Sequence, residues 1–449
     1  MNPQIFREYD IRGLVDKDIS EADVYTLGRA IGTYLLREGN RTATLGRDCR
    51  LSSPSYAGQI AQGLLDSGCD VIDIGEVATP VFYFSVHHLK VEGGVMVTAS
   101  HNPPEYNGFK ICCGLDTLYG PQIQEVGKIA AGGVFVSGKG KLSKADVVPA
   151  YKEYLLGNIK ISRPLTVAVD AGNGTAGVAA VPILKGLGMI VHDIFCEPDG
   201  RFPNHSPDPT VFKNNVHLAA LVKEKGCDIG IGFDGDGDRI GVLDENGEMI
   251  YGDKLLILFA REILSRKPGA VVISEVKCSQ TMYDDIAAHG GKPIMWKTGH
   301  SLIKNKMKEE HAELAGEMSG HVFFADRYLG YDDATYAACR ILEIVAAGTK
   351  KVSELLADVP KTYSTPELRV ECPDEIKFSV VEKVTAYFKA REKVIDIDGV
   401  RVLYKDGWGL VRASNTQPVL VLRFEALSEA RLAEIRSEVE AVVKKMRES

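Results

Sequence analysis

Residues 42–75 read TATLGRDCRLSSPSYAGQIAQGLLDSGCDVIDIG. A short β-branched run is followed by a polar loop, then by the amphipathic stretch PSYAGQIAQGLLDSG closed by Gly68, and then by a second apolar run, CDVIDIG. This order is that of a βαβ unit and predicts parallel strands. Such short apolar strands suit a sheet covered on both faces.

The arrangement returns twice. LTVAVDAGNG, TAGVAAVPILKGLG and MIVHDI follow one another over 165–194, and AVVISEVKCSQ, TMYDDIAAHGG and KPIMWKTG over 270–299. Three copies at a spacing of roughly 120 residues predict three similar α/β domains. The last ~90 residues differ. TPELRVEC reads as a strand, FSVVEKVTAYFKARE as a helix, and VLVLRFEAL as a strand before the closing amphipathic helix SEARLAEIRSEVEAVVKKM. Asp398-Gly399 and Asp406-Gly407 mark turns between them. This is a smaller α+β unit. Proline-containing joins near residue 148 and in LADVPKTYSTPE place the expected domains at 1–147, 148–248, 249–360 and 361–449.

The chain of 449 residues carries a net charge of −8, which argues against nucleic acid and anionic membrane as partners but leaves room for a local basic pocket. No apolar run approaches the ~18 residues of a membrane span. The start, MNPQIFREYDIRG, has no apolar core of a signal peptide. The nine cysteines form no C-x-x-C pair, so neither a disulfide framework nor a zinc site is expected, and a reducing cytoplasm fits.

Four loops offer chemistry. In GGVMVTASHNPPEYNGFK (93–110) a strand ends at Ser100 before a proline-stiffened loop, which suits a nucleophile or phosphate carrier with Lys110 nearby. In FDGDGDR, Asp234, Asp236 and Asp238 alternate with glycines. Three close carboxylates make a site for a hard cation. An EF-hand is excluded, because its sixth position holds Arg239 where glycine is needed. Magnesium is the better choice. In GEMSGHVFF, Glu317, Ser319 and His321 would share one side of an extended segment and suit sugar hydroxyls. In RASNT, Arg412, Ser414, Asn415 and Thr416 would cradle a phosphate.

A fifth stretch, Gly172–Gly177, matches G-x-G-x-x-G after a strand, with Asp193 about 20 residues on. Asp170-Ala171 lengthens the turn, and the other two repeats keep the topology without its glycines. A packing turn is therefore expected there, with an NAD-dependent oxidoreductase as the reading from a different enzyme class. A silent sugar-phosphate binding protein would need neither Ser100 nor the acidic triad.

Together, in this order, the four loops resemble those of the α-D-phosphohexomutase family over essentially the whole chain. GEMSGH and RASNT look closest to its bacterial phosphomannomutase/phosphoglucomutase branch. Phosphoglucosamine mutase, whose pattern differs at Met318 and Asn415, is the alternative within the family. The resemblance implies three α/β domains with mixed sheets and a C-terminal α+β domain around a central cleft. It implies a phosphorylated Ser100 that, with Asp234, Asp236 and Asp238, holds one Mg²⁺. It also implies Arg12, Lys110, Arg239 and His300 at the reacting phosphate. Tyr9, Lys277, Thr298, Gly299, Glu317, Ser319, His321, Arg412, Ser414, Asn415 and Thr416 would hold the substrate. The expected reaction interconverts hexose 1- and 6-phosphates of mannose or glucose through a 1,6-bisphosphate, with Lys110 and His300 as candidates for proton transfer.

Overall fold

The computed structural model describes residues 1–415 and 417–448. The first three domains share one sheet plan. Three parallel strands stand in the order second, first, third, and a fourth returns antiparallel beside the third. In the first domain these are Asp70–Glu76, Thr42–Arg47, Gly93–Val97 and Tyr106–Cys113. In the second they are Ile190–Ile194, Thr166–Asp170, Ile229–Phe233 and Ile240–Leu243. In the third they are Lys292–Trp296, Val271–Glu275, Leu314–Gly316 and Val322–Phe324. The first sheet adds Ile11–Leu14 and Leu142–Lys144 at its edges. Helices Ser53–Ser67, Ala176–Gly186 and Gln280–Ala288 make the crossovers from first to second strand. The antiparallel return makes each sheet mixed, as expected.

The strands Gly93–Val97, Ile229–Phe233 and Leu314–Gly316 are buried at every residue, because helices and neighbouring domains cover both faces. One continuous apolar core joins Val81 and Phe82 of the first domain to Ile231 and Phe233 of the second and Leu256 and Phe259 of the third. The fourth domain has a core of its own. Its antiparallel sheet runs Tyr363–Ser364, Val419–Ala426, Gly407–Ala413, Val400–Tyr404, Lys393–Ile395. Strand period sorts its two faces. Val400, Val402, Val411, Leu420, Leu422 and Phe424 pack with residues of helices Lys377–Lys389 and Glu429–Arg447. The alternate residues, Arg401, Trp408, Leu410, Arg412, Arg423 and Glu425, form the opposite face. There the Arg401 Nη1 donates to the carbonyls of Val276 and Cys278, both at 2.7 Å, and Arg423 donates to that of Lys277.

Three details differ from the sequence reading. Met249–Ile250 joins the edge of the second sheet, two residues past the boundary expected at 248. Within the expected linker, Tyr363–Ser364 pairs with the end of Val419–Ala426 and so belongs to the fourth sheet. GEMSGH is not extended. Glu317 N donates to His321 O at 3.0 Å and Gly320 N to Glu317 O at 3.1 Å, so the segment is a tight turn between antiparallel strands.

Candidate active site

That turn has counterparts. In every domain the chemistry-bearing loop joins two antiparallel neighbours: 98–105, 234–239, 317–321 and 414–418. The shared sheet plan of the first three domains thus delivers Ser100, the aspartates and the 317–321 turn from equivalent positions. Thr416 lies outside the described residues.

Ser100 is buried, with a left-handed φ of +51°. Its amide donates to Thr98 Oγ1 at 2.9 Å. Its hydroxyl donates to Asp234 Oδ2 at 2.8 Å, across the boundary between the first and second domains, and lies 3.1 Å from His101 Nδ1. Asp234, Asp236 and Asp238 are all fully buried, with one oxygen of each within 4.8 Å of the others. Burial, then the neighbouring Asp236 and Asp238, drive the Asp234 pKa well up. Asp236 is held low. Its burial is outweighed by Lys110, whose Nζ donates to Asp236 Oδ2 at 2.8 Å, and by Thr79 Oγ1 at 2.6 Å. Lys110 also donates to Asp238. Burial works against its charge, but the two aspartates raise its pKa, so it stays an ammonium ion.

The residues fit a divalent cation. The ammonium occupies only the Oδ2 atoms, while Asp236 Oδ1 and Asp238 Oδ1 are buried without a hydrogen-bond partner. Unpaired buried carboxylate oxygens are costly. An oxygen-seeking cation, with the Ser100 oxygen beside it, would satisfy them.

Arg239 closes the metal loop. Its amide donates to Asp234 Oδ1 at 3.1 Å and its Nε to His321 Nε2 at 3.0 Å. His321 stacks on His300, ring centroids 5.4 Å apart. Asp332 lies between them, 2.9 Å from His321 Nδ1 and 3.8 Å from His300 Nδ1, with Lys304 Nζ at 3.2 Å from its other oxygen. Burial, then Lys304, pushes the His300 pKa well down, so this imidazole is neutral at pH 7. Arg12 reaches the same loop as Ser100 through Asn102 Oδ1, at 2.7 Å.

The far side of the cleft is one connected network. Glu317 Oε1 accepts from Gly299 N at 2.7 Å, and Ser319 Oγ donates to Glu317 Oε2 at 3.4 Å. Gly299 has φ +133°, and an added Cβ would fall 2.4 Å from the Tyr9 ring, so no other residue fits there. Tyr9 OH donates to Thr298 O at 2.7 Å and accepts from Asn415 Nδ2 at 2.6 Å, joining three domains. Arg412 Nε and Thr298 N both donate to Asp398 Oδ2 at 3.0 Å. Lys277 Nζ donates to Glu367 Oε2 at 3.2 Å. Ser414 N donates to Val419 O at 3.0 Å and Ser414 Oγ accepts from Gln417 N at 3.1 Å, which fixes the start of the loop that carries Asn415.

Gly172–Gly177 serves packing. A Cβ on Gly174 would lie 2.5 Å from Gly235 O in the metal loop, and one on Gly177 would lie 2.6 Å from Cys196 O. The space a pyrophosphate would need is filled by the protein's own backbone.

Sequence reasoning passed over Asp48, Thr79, Glu275 and Asp332. For two of these a signal existed. Each repeat carries an acid at the end of its first strand, and each accepts the amide two residues on. Asp48 Oδ1 takes Arg50 N at 3.0 Å, Asp170 Oδ1 takes Gly172 N at 2.7 Å, and Glu275 Oε2 takes Lys277 N at 2.8 Å. Glu275 further accepts from Thr298 Oγ1 at 3.0 Å and Met318 N at 3.2 Å, tying Lys277 to the 317–321 turn.

Comparison with known proteins finds four domains along the chain. Residues 3–132, 149–247 and 251–363 match the phosphoglucomutase/phosphomannomutase alpha/beta/alpha domains I, II and III, and residues 367–442 match the C-terminal domain. The chain is 48% identical over 433 residues to a phosphomannomutase/phosphoglucomutase of Pseudomonas putida, covering 96% of this chain and 94% of that one. It is 46% identical over 444 residues to a phosphoglucomutase of Neisseria gonorrhoeae, covering 98% and 96%. A solved phosphoglucomutase/phosphomannomutase family protein from Burkholderia thailandensis superposes with a TM-score of 0.94 at 44% identity, covering 99% and 98%. Its four matching domains in order, and relatives this similar along nearly its whole length, mean that the chain belongs to the phosphoglucomutase/phosphomannomutase family.

Proposed function

We propose the following reading of the cleft. The chain is a phosphohexomutase, an isomerase that interconverts hexose 1-phosphates and hexose 6-phosphates of glucose, mannose or both. The observation that carries the reading is Ser100, strained, buried and hydrogen-bonded to the first of three converging aspartates. Phosphorylated, Ser100 would pass its phosphoryl group to the free hydroxyl of a hexose monophosphate. The 1,6-bisphosphate so formed turns in the cleft and returns its other phosphoryl group to Ser100.

Phosphoryl transfer needs positioning and charge neutralisation more than covalent activation. The ammonium of Lys110 and the guanidinium groups of Arg12 and Arg239 supply positive charge around the transferring group. One Mg²⁺, held by Asp234, Asp236, Asp238 and the Ser100 oxygen, would add its charge to the phosphoryl oxygens when bound. Lys110 is fixed as a cation between two aspartates, so it neutralises charge and does not act as a base. The neutral His300 imidazole is the group suited to take the proton of the attacking hydroxyl. Glu317 and Ser319 grip sugar hydroxyls. Arg412, Lys277, Ser414, Asn415 and Thr416 hold the phosphate that does not react, and Tyr9 with Thr298 and Gly299 shapes the wall between them.

We assign the domains as 1–147, 148–250, 251–360 and 361–449. Partners are small sugar phosphates, with glucose or mannose 1,6-bisphosphate as intermediate and activator. Among the described residues no helix is long and apolar enough to cross a membrane. All nine cysteines are free thiols, which supports a reducing cytoplasmic setting.

The test is turnover of glucose 1-phosphate, mannose 1-phosphate and glucosamine 1-phosphate with Mg²⁺, by the wild type and by Ser100→Ala. Turnover of the first two, lost in the variant together with phosphoserine, is expected. Preference for glucosamine 1-phosphate would move the chain to the alternative branch, and full activity of Ser100→Ala would overturn the mechanism.

A further inference from the structure

Arg50 lies three residues past the strand Thr42–Arg47, the first of the first βαβ repeat, and its side chain is completely buried. A guanidinium has five N–H donors in a rigid plane. All five are used. The Nε donates to Asp48 Oδ2 at 3.1 Å. One terminal nitrogen donates to Pro103 O at 2.6 Å and Tyr106 O at 3.0 Å. The other donates to Ser100 O at 2.8 Å and Asn102 O at 2.6 Å. Four of the five acceptors are thus backbone carbonyls, three in the loop that carries Ser100, including that of Ser100 itself, and one on the first residue of the strand that follows.

The clamp is braced from behind. Asp48 Oδ1 accepts from Arg50 N at 3.0 Å and from Ser53 Oγ at 2.5 Å, and Ser53 Oγ in turn accepts from Asn107 Nδ2 at 3.1 Å. From the second domain, the Phe202 ring lies 5.1 Å from the guanidinium carbon, and a Cβ on Gly200 would fall 2.6 Å from Arg50 Cα. Burial lowers the arginine's affinity for its proton and Asp48 opposes this. A buried cation of this kind is tolerated only when fully paired.

We propose that Arg50 is a positioning residue for the phosphoryl carrier. It holds Ser100 in its left-handed conformation by gathering the carbonyl of the strained residue itself and those of three residues that follow it, so that the Ser100 oxygen stays at Asp234. A loop that carries a phosphoryl group between two sugar positions must return its oxygen to one place. Displacement of about 1 Å can cost of the order of 100-fold in rate. The equivalent position of the third repeat, Lys277, accepts the same acid-to-amide bracing but sends its cation into the cleft. The first repeat has turned that cation inward, onto its own loop.

The inference rests on the mutase reading, so the experiment has one arm independent of it. Arg50→Lys keeps the charge but offers three donors from one point, which cannot span four carbonyls. Asp48→Asn leaves the arginine in place and loosens its brace, and it decides the question should Arg50→Lys fail to fold. Amide hydrogen exchange over residues 98–106 reads the clamp with or without phosphate on Ser100. It should quicken at least about tenfold in Arg50→Lys and by less in Asp48→Asn. Single-turnover transfer from phosphorylated Ser100 to glucose 1-phosphate should slow by about 10- to 100-fold in Arg50→Lys. Binding of glucose 1-phosphate itself should stay within about twofold, since its holding groups belong to the third and fourth domains. Exchange and transfer both within twofold of wild type in both variants would overturn the clamp. So would equal losses of transfer and of substrate binding. Absence of transfer in the wild type would instead overturn the mutase reading, leaving the exchange result to judge the clamp alone.

Discussion

Lys277 Nζ, from the third domain, lies 3.2 Å from Glu367 Oε2 at the start of the fourth. The Lys277 charge, ahead of burial, holds the Glu367 pKa down to about 2. The carboxylate is therefore ionised throughout the working range and, on the proposed reading of the site, would compete with a substrate phosphate for this ammonium group. Glu367→Gln removes the negative charge while keeping a side chain of the same size with one acceptor oxygen. Partly exposed pairs are worth up to about 1 kcal/mol, so KM for glucose 1-phosphate should fall by about two- to fivefold with kcat little changed. A rise in KM would mean that the pair orders the fourth domain more than it blocks the site.

Cation binding should stabilise the chain as well as activate it. Asp236 Oδ1 and Asp238 Oδ1 have no hydrogen-bond partner, and Asp234 is pushed towards its protonated form by burial and its two neighbours. A ligand that binds only the folded state at 100 times its Kd adds about 2.7 kcal/mol. Removing divalent ions with a chelator should abolish turnover, and restoring Mg²⁺ should raise the unfolding temperature. In Asp236→Asn that rise should shrink to a small fraction. An unchanged rise in Asp236→Asn would place the cation elsewhere.

Much of this was legible in the sequence for a specific reason. The repeated strand, loop, helix and strand pattern is local, so periodicity reveals it, and the turn residues of the four loops are local too. Asp332 was not legible, because it gains meaning only when the helix starting at His300 and the turn ending at His321 bring two imidazoles to it. Thr79 was hidden in the same way: its hydroxyl meets Asp236 157 residues further along the chain. The error over GEMSGH has a physical cause as well. Alternation of small and polar residues is shared by extended strands and by glycine turns, and Gly320, at φ +84°, selects the turn.

Gly174 offers a test that separates the mutase from the dinucleotide reading. A methyl group there would meet the Gly235 backbone at 2.5 to 2.9 Å, and Gly235 itself approaches Ser100 O so closely that its own Cβ would lie at 2.5 Å. Backbone cannot yield as a side chain can. Gly174→Ala should therefore shift the metal loop and lower mutase kcat by at least tenfold, at a stability cost of about 1–3 kcal/mol typical of overpacking. NADH fluorescence should be unchanged on titration with either protein. NADH binding by the wild type, lost in Gly174→Ala, would revive the oxidoreductase.

His300 should make stability depend on pH in a defined direction. Its pKa is depressed in the fold, first by burial and then by Lys304, while the unfolded chain has the ordinary value of about 6.5. Below pH 6.5 the unfolded state therefore binds a proton that the folded state refuses. Stability from this group is fully present above pH 6.5 and is lost as pH falls towards the depressed value, by about 1.4 kcal/mol per pH unit. Asp332 and the cation of Lys304 face the ring, with Tyr9 and His321 packed beside it. Between pH 7.5 and 5.5, above the titration of ordinary carboxylates, wild type should lose about 1.4 kcal/mol more than His300→Asn. For a chain of this size that is a difference of about 1–3 °C in Tm, measured at fixed Mg²⁺. Parallel losses in the two proteins would mean that the fold leaves the His300 pKa at its ordinary value, and a smaller loss in the wild type would mean that the ring is charged at pH 7, which would remove it as the base that takes the hydroxyl proton.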